Sequence, residues 1–223
     1  MRRLPFLFAT LVLAAGCSGE DSVPKHLMDD SKAVEPAVEL QGITHPALLT
    51  AVRTIRADDV EPGSLAAACL RGRGRDTQAS GQLVERIGVA NESVTFRGPS
   101  GRSVSGCDNS PGPREGSRRW CGGAYGVLYG GRLRDPRLDI LCTTGDGRPM
   151  GFAWIEPDAK AGYIAVKQPG YTEVYEVAAG LPVRIATTTG VEIEGSHATF
   201  DLSQHDSNGR LIRKYRLDAR VAG

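Results

Sequence analysis

From residue 80 to the C-terminus, apolar and polar residues alternate with a period of two in many short runs. Such runs, separated by turn residues at intervals of about 8–12 positions, are typical of half-buried strands. The clearest example closes the chain. Phe200 and Leu202 share one face of a strand, residues 206–209 form an Asp-Ser-Asn-Gly turn, and Leu211 and Tyr215 share a face of the returning strand.

This alternation predicts a mainly all-β fold, an antiparallel β-sandwich or a barrel-like body. A parallel α/β sheet is disfavoured, because no helical crossovers separate the runs. One or two short helices are expected near the start of the body. In residues 44–56, Leu48, Val52 and Ile55 fall on one helical face, and residues 65–70 form an apolar run that Ser64 can cap.

The N-terminus has the pattern of an export signal. Arg2 and Arg3 precede the apolar stretch 4–15, which is too short to span a bilayer. The stretch ends in Leu13-Ala14-Ala15-Gly16-Cys17, which resembles the lipobox of bacterial lipoproteins. The resemblance implies removal of residues 1–16, a diacylglyceryl group on the thiol of Cys17 and anchoring to a bacterial cell membrane or outer membrane. The alternative is an ordinary cleaved signal peptide in which Cys17 is incidental.

Residues 17–43 differ in composition from the rest of the chain. They contain six acidic residues, two Lys and few large apolar side chains, which predicts a flexible tether rather than a packed element. As a coil, such a segment spans roughly 25–30 Å. Residues 44–223 then form the folded β-rich region. A weak similarity between its two halves would fit two β modules that meet near 108–120.

Four cysteines remain if Cys17 is lipidated: Cys69, Cys107, Cys121 and Cys142. An even number outside the cytosol favours two disulfides, and three pairings are possible. We favour Cys107–Cys121 with Cys69–Cys142, because the first pair would close a loop rich in Gly, Pro and Ser. A zinc site is disfavoured, since no C-x-x-C pair occurs.

Charge is unevenly distributed along a nearly neutral chain. The net charge is +1, which argues against a polybasic nucleic-acid binder, but residues 71–148 hold 13 Arg against eight acidic residues. Guanidinium groups suit bidentate contact with carboxylates and phosphates. Arg73, Arg114, Arg118 and Arg119 are therefore candidate anion-binding residues. The alternatives are a solvated Arg-rich surface or pairing with the acidic tether.

Motifs of known catalytic or cofactor chemistry are absent from the sequence, including G-x-S-x-G, H-E-x-x-H, the P-loop and G-x-G-x-x-G. His197, Asp201 and His205 share one face of the predicted strand, but four strand residues cover about 13 Å, too far for one metal ion. We expect these three side chains to face water, opposite Phe200 and Leu202.

Together these patterns favour a non-catalytic binding or interaction module held on a membrane by a covalent lipid. Its partner would be an anionic envelope polymer or another envelope protein. No cofactor, metal or nucleic acid is expected. The alternative is an envelope-associated hydrolase, in which His197 or His205 meets a carboxylate such as Asp108 or Asp139 from another strand.

Overall fold

The computed structural model is mainly β, as the sequence predicts, with two sheets and one short α-helix in the part of the chain that it describes. The described residues are 36–43, 46–71, 81–88, 92–98, 103–110, 121–128, 137–143, 149–168, 170–186 and 197–221. Among the predicted features, Cys17, the signal peptide and most of the tether lie outside these residues.

The smaller sheet is an antiparallel meander in which each strand pairs with its neighbour in sequence. Period-two alternation and short turns favour this arrangement. Its strands, in spatial order, are β2 (Ala51–Arg56), β3 (Gln82–Ile87), β4 (Glu92–Arg97), β5 (Ser103–Ser110) and β6 (Cys121–Leu128).

The larger sheet has eight strands in the order β1-β10-β9-β12-β13-β7-β8-β11. Two of its strand pairs, β1 with β10 and β13 with β7, are parallel, and the others are antiparallel. Its strands are β1 (Ala47–Leu49), β7 (Arg137–Thr143), β8 (Pro149–Ile155), β9 (Tyr163–Gln168), β10 (Tyr171–Glu176), β11 (Val183–Ala186), β12 (His197–His205) and β13 (Leu211–Val221). The chain thus passes from the smaller to the larger sheet between β6 and β7.

The larger sheet curls around its own core. One cluster of buried side chains joins strands that lie near its opposite ends, because Tyr175 of β10 and Val183 and Ile185 of β11 belong to the same cluster. Phe200 and Leu202 of β12 complete its centre, as predicted. This inner face gives the larger sheet a barrel-like form, and its outer face is left for other contacts.

The smaller sheet packs one face against the larger sheet. Val84 and Val104 form a buried cluster with Trp154 and Leu181 of the larger sheet. Beside this cluster, the guanidinium of Arg184 donates to Oδ2 of Asp108 over 3.1 and 3.2 Å, and both side chains are fully buried. The two sheets are therefore joined by an apolar cluster and an ion pair.

A helix covers the other face of the smaller sheet. The predicted second helix is confirmed as α1 (Leu65–Arg71), and the hydroxyl of Ser64 accepts from the N–H of Ala67 at 3.1 Å, as an N-cap does. The predicted helix over 44–56 is wrong, because β1 and β2 occupy that segment. Leu48 and Val52 also fit a period of two, whereas Ile55 lies on the opposite face of β2 from Val52, and β-branched residues favour the strand.

The favoured cysteine pairing is also wrong. Cys69 of α1 is bonded to Cys107 of β5, with 5.7 Å between their Cα atoms. Both cysteines belong to the buried cluster between the helix and the sheet. Cys121 lies opposite Ser110 in the β5–β6 ladder, three residues further along β5 than Cys107, so the bond proposed across the loop does not form. The side chains of Cys121 and Cys142 lie outside the described residues.

The last residues of the segment predicted as a tether lie against the larger sheet. Leu40 is 5% exposed and packs with Ala47, Ala165 and Val174 on its outer face. The N–H of Gln41 donates to the carbonyl oxygen of Gly209 at 2.9 Å. We call residues 36–43 the strap, because they cross the outer face of the sheet at the β12–β13 turn.

Candidate functional site

The outer face of the larger sheet carries a groove of about 640 Å³ between the strap and strands β9, β10, β12 and β13. Small side chains form the floor of the groove, since Ser203 of β12 lies opposite Ala165 of β9 in the strand register. The groove is lined by Gln41, Gly42, Ile43, Ala165, Lys167, Gln168, Gly170, Tyr171, Thr172, Asp201, Leu202, Ser203, Leu211 and Lys214.

Two ammonium groups flank this floor. Lys214 lies opposite Ser203 in the β12–β13 register, and Lys167 lies opposite Thr172 in the β9–β10 register. Both lysines are exposed, and neither forms an ion pair with another described residue. One carboxylate of the groove, Asp201, is already paired with Arg216 at 3.1 Å. The lysines therefore give the floor an available positive charge.

A serine and a histidine meet at this floor. Nε2 of His205 lies 2.9 Å from Oγ of Ser203, and Nδ1 lies 3.3 Å from the carbonyl oxygen of Gly209. A carbonyl oxygen can only accept, so Nδ1 carries the proton in the neutral ring. Nε2 is then the acceptor, and the hydroxyl of Ser203 donates to it.

The expectation that His205 faces water is wrong. His205 lies on the outer face of β12, as its spacing from Ser203 requires, but it is 0% exposed. Its ring contacts the carbonyl of Gly209, and that carbonyl also accepts from Gln41 of the strap. Burial lowers the pKa of His205 below the usual 6.5, although the Gly209 carbonyl and the nearby Asp206 carboxylate act in the opposite direction.

A register shift changes the face of Leu211. The β12–β13 ladder shifts between Gln204 and His205, so that Leu211 stands opposite His205. The sequence placed Leu211 on the same face as Tyr215, which packs against the inner core, but Leu211 lines the outer groove and is 40% exposed. The extra residue of such a bulge reverses the alternation of side chains beyond it.

The predicted turn at 206–209 is confirmed. Oδ1 of Asp206 accepts from the N–H groups of Asn208 and Arg210, both at 2.9 Å. Gly209 has a φ of +80°, and a Cβ at this position would overlap the carbonyl oxygen of Glu39. The turn therefore holds the Gly209 carbonyl against both His205 and the strap.

Among the other predicted site residues whose side chains are described, Asp201 lies at the groove and Asp108 does not. Asp201 lines the groove and is partly exposed, while the side chains of His197 and Asp139 lie outside the described residues. Asp108 is paired with Arg184 between the two sheets. The four candidate anion-binding residues also lie outside the described part of the chain: Arg73, Arg114, Arg118 and Arg119.

Three lining residues were missed from the sequence: Ser203, Lys167 and Lys214. The i,i+2 spacing of Ser203 and His205 on a predicted strand places both on one face, and this signal identifies the pair. Lys167 and Lys214 carry no comparable signal, because their positions on either side of β12 depend on the order of strands β9, β12 and β13 in the sheet.

In the described ranges, no three His, Cys, Asp or Glu side chains are placed to hold a metal ion. The helical residues that the structure describes include no segment long and apolar enough to cross a bilayer. Comparison of the chain with protein-family models, curated proteins and solved structures gives no match.

Proposed function

We propose that this chain is a lipid-anchored extracytoplasmic protein whose β body binds an anionic component of the bacterial envelope in the groove. The lipobox-like segment ending at Cys17 supports the anchor. The Cys69–Cys107 disulfide supports an oxidising compartment, since such bonds are rare in the cytosol. The observation that carries the binding proposal is the pair of lysines, Lys167 and Lys214, beside the Ser203 floor.

The donors of the groove suit a phosphate or carboxylate. Lys167 and Lys214 offer ammonium donors that form no ion pair with the residues that the structure describes, and a hydroxyl on the floor adds polar character. Leu211, at the edge of the groove, offers an apolar contact for the non-ionic part of a ligand. A polymer that alternates charged and uncharged units fits these features better than a small ion does.

The arginines singled out in the sequence extend this proposal. Arg73, Arg114, Arg118 and Arg119 would contact further charged units of the same polymer, because guanidinium groups suit bidentate contact with phosphates and carboxylates. Another envelope protein with an acidic surface is the second partner that would suit the same charges. Reversing the charges of Arg118 and Arg119 should then weaken binding, whichever of the two partners is bound.

Charge reversal in the groove tests the proposal. We expect the double variant Lys167→Glu, Lys214→Glu of the lipidated protein in detergent to bind immobilised poly(glycerol phosphate) about 30-fold less tightly, at about 1 kcal/mol per exposed charge. Lys160→Glu is the matched control, because Lys160 is exposed in a turn outside the groove. Unchanged affinity in the double variant, or an equal loss in the control, would contradict groove binding.

The anchor is tested separately by mass spectrometry of the mature N-terminus. We expect a diacylglyceryl-modified Cys17 as the first residue, and we expect Cys17→Ser to abolish the lipid modification. An unmodified N-terminus, or cleavage at another residue, would refute the anchor and leave the binding experiment intact.

A further inference from the structure

We propose that Ser203 is a nucleophile and His205 its general base, and that the pair cleaves carboxylic esters bound in the groove. The proposal rests on the groove of the proposed function and adds a reaction to it. Three features carry it: the contact between the two side chains, the orientation of the imidazole, and the position of Ser203 in the lining of a groove of about 640 Å³.

The contact has the geometry of an activated serine. The distance of 2.9 Å between Oγ of Ser203 and Nε2 of His205 lies in the range over which a base takes a proton from a nucleophile. The carbonyl of Gly209 holds the opposite nitrogen and so fixes the tautomer that leaves Nε2 unprotonated. In better-known dyads and triads a carboxylate or amide has this orienting role.

The surroundings of His205 keep the imidazole neutral and therefore able to act as a base near pH 7. Burial lowers its pKa, and the charged group that opposes this effect is the Asp206 carboxylate in the adjacent turn. That carboxylate also accepts two backbone N–H bonds in the turn and pairs with Nε of Arg210 at 3.4 Å, so part of its charge is already compensated. As the imidazolium forms during the reaction, Asp206 would stabilise it.

The groove offers both access and charge stabilisation. Ser203 lines the floor, although only 5% of the residue is exposed. Lys214 stands opposite it on β13, where an ammonium can approach the oxyanion of a tetrahedral intermediate. Lys167 is free to hold an anionic group elsewhere on the substrate. The substrate class is therefore a carboxylic ester that carries a negative charge.

The reaction balances with water as the only co-reactant. Oγ of Ser203 bonds to the ester carbonyl carbon while its proton moves to Nε2 of His205. The bond from that carbon to the alcohol oxygen then breaks, and the alcohol leaves with the proton from Nε2. Water attacks the acyl-serine and gives a proton to Nε2. That proton returns to Oγ as the carboxylic acid leaves.

The test is covalent labelling of the lipidated, disulfide-bonded protein with a fluorophosphonate, which bonds to activated serine oxygens and releases fluoride. We expect peptide mass mapping to find the phosphonyl group on Ser203. Ser203→Ala should abolish labelling, and His205→Gln should slow it at least 100-fold. Ser207→Ala is the matched control and should label normally, because Ser207 is exposed in the neighbouring turn.

Labelling of the wild-type protein decides the matter even if His205→Gln fails to fold. Absence of label on Ser203, or equal labelling of Ser207 and Ser203, would overturn the proposal.

Failure of the two proposals can be told apart. If Ser203 is not labelled but polymer binding still depends on the two lysines, only the ester cleavage is refuted. If Ser203 is labelled but the polymer does not bind, only the binding of an anionic ligand is refuted.

Discussion

The molecule contains two buried polar pairs in different surroundings. We call the interface between the two sheets the locked region and the outer face that carries the groove the open region. Asp108 and Arg184 meet between the two sheets, and the guanidinium lies 5.2 Å from the ring centroid of Trp154 and 5.5 Å from that of Phe152. Ser203 and His205 meet on the outer face, where Ser203 lines the groove. Burial is similar in both pairs. Their surroundings differ, and this difference separates a structural contact from a candidate reactive one.

The largest expected effect comes from breaking the locked pair. Arg184→Met leaves the carboxylate of Asp108 buried without its guanidinium, and we expect a loss of about 3–5 kcal/mol in the free energy of unfolding. Urea denaturation measures this loss. The double variant Asp108→Leu, Arg184→Met removes both charges and should recover part of the stability. A double variant no more stable than Arg184→Met would show that the loss comes from packing against the aromatic rings rather than from the uncompensated charge.

The parts of the molecule also differ in how well the sequence predicts them. The β12–β13 hairpin follows from its alternation and from the Asp206 turn, since both signals are local. The Cys69–Cys107 bond does not, because it depends on α1 packing on the smaller sheet. Burial of His205 is likewise not predicted, because the alternation along β12 places its side chain on the face opposite Phe200 and Leu202, where the sequence predicts exposure to water. Local patterns therefore predict the β12–β13 hairpin, whereas contacts between elements determine the site.

The strap itself can be loosened at one glycine. Gly209→Ala places a side chain at a φ of +80° and against the carbonyl oxygen of Glu39, and we expect a loss of about 1–3 kcal/mol in unfolding free energy. Gly42→Ala is the control, since Gly42 has a φ of +77° but a Cβ added there would meet no atom within 4 Å. A larger loss for Gly209→Ala, with faster proteolysis within residues 36–43, would show that contact with the strap matters beyond backbone strain. Equal losses would argue that it does not.

The open region should respond to acid. The pKa of His205 is lower in the folded protein than the usual 6.5, so below pH 6.5 the unfolded chain takes up the proton more readily. Stability is therefore greatest above pH 6.5 and falls on acidification, by at most about 1.4 kcal/mol per pH unit. We expect the unfolding free energy to fall between pH 7.5 and pH 5.5 by more than it does in His205→Gln. Identical pH dependence in the two proteins would mean that His205 takes up its proton equally well in both states.

The smallest effect is expected at the exposed ion pair of the groove. Asp201→Asn removes the contact with Arg216, whose side chain is 71% exposed, and we expect a change below about 1 kcal/mol in unfolding free energy. The same substitution removes the groove's negative charge, so poly(glycerol phosphate) should bind more tightly although stability hardly changes. Titration of the polymer and urea denaturation of the same variant separate the two effects. A large destabilisation would mean that the Asp201–Arg216 pair stabilises the fold, as the Asp108–Arg184 pair does. The groove would then resemble the inter-sheet interface more than the exposure of its side chains indicates.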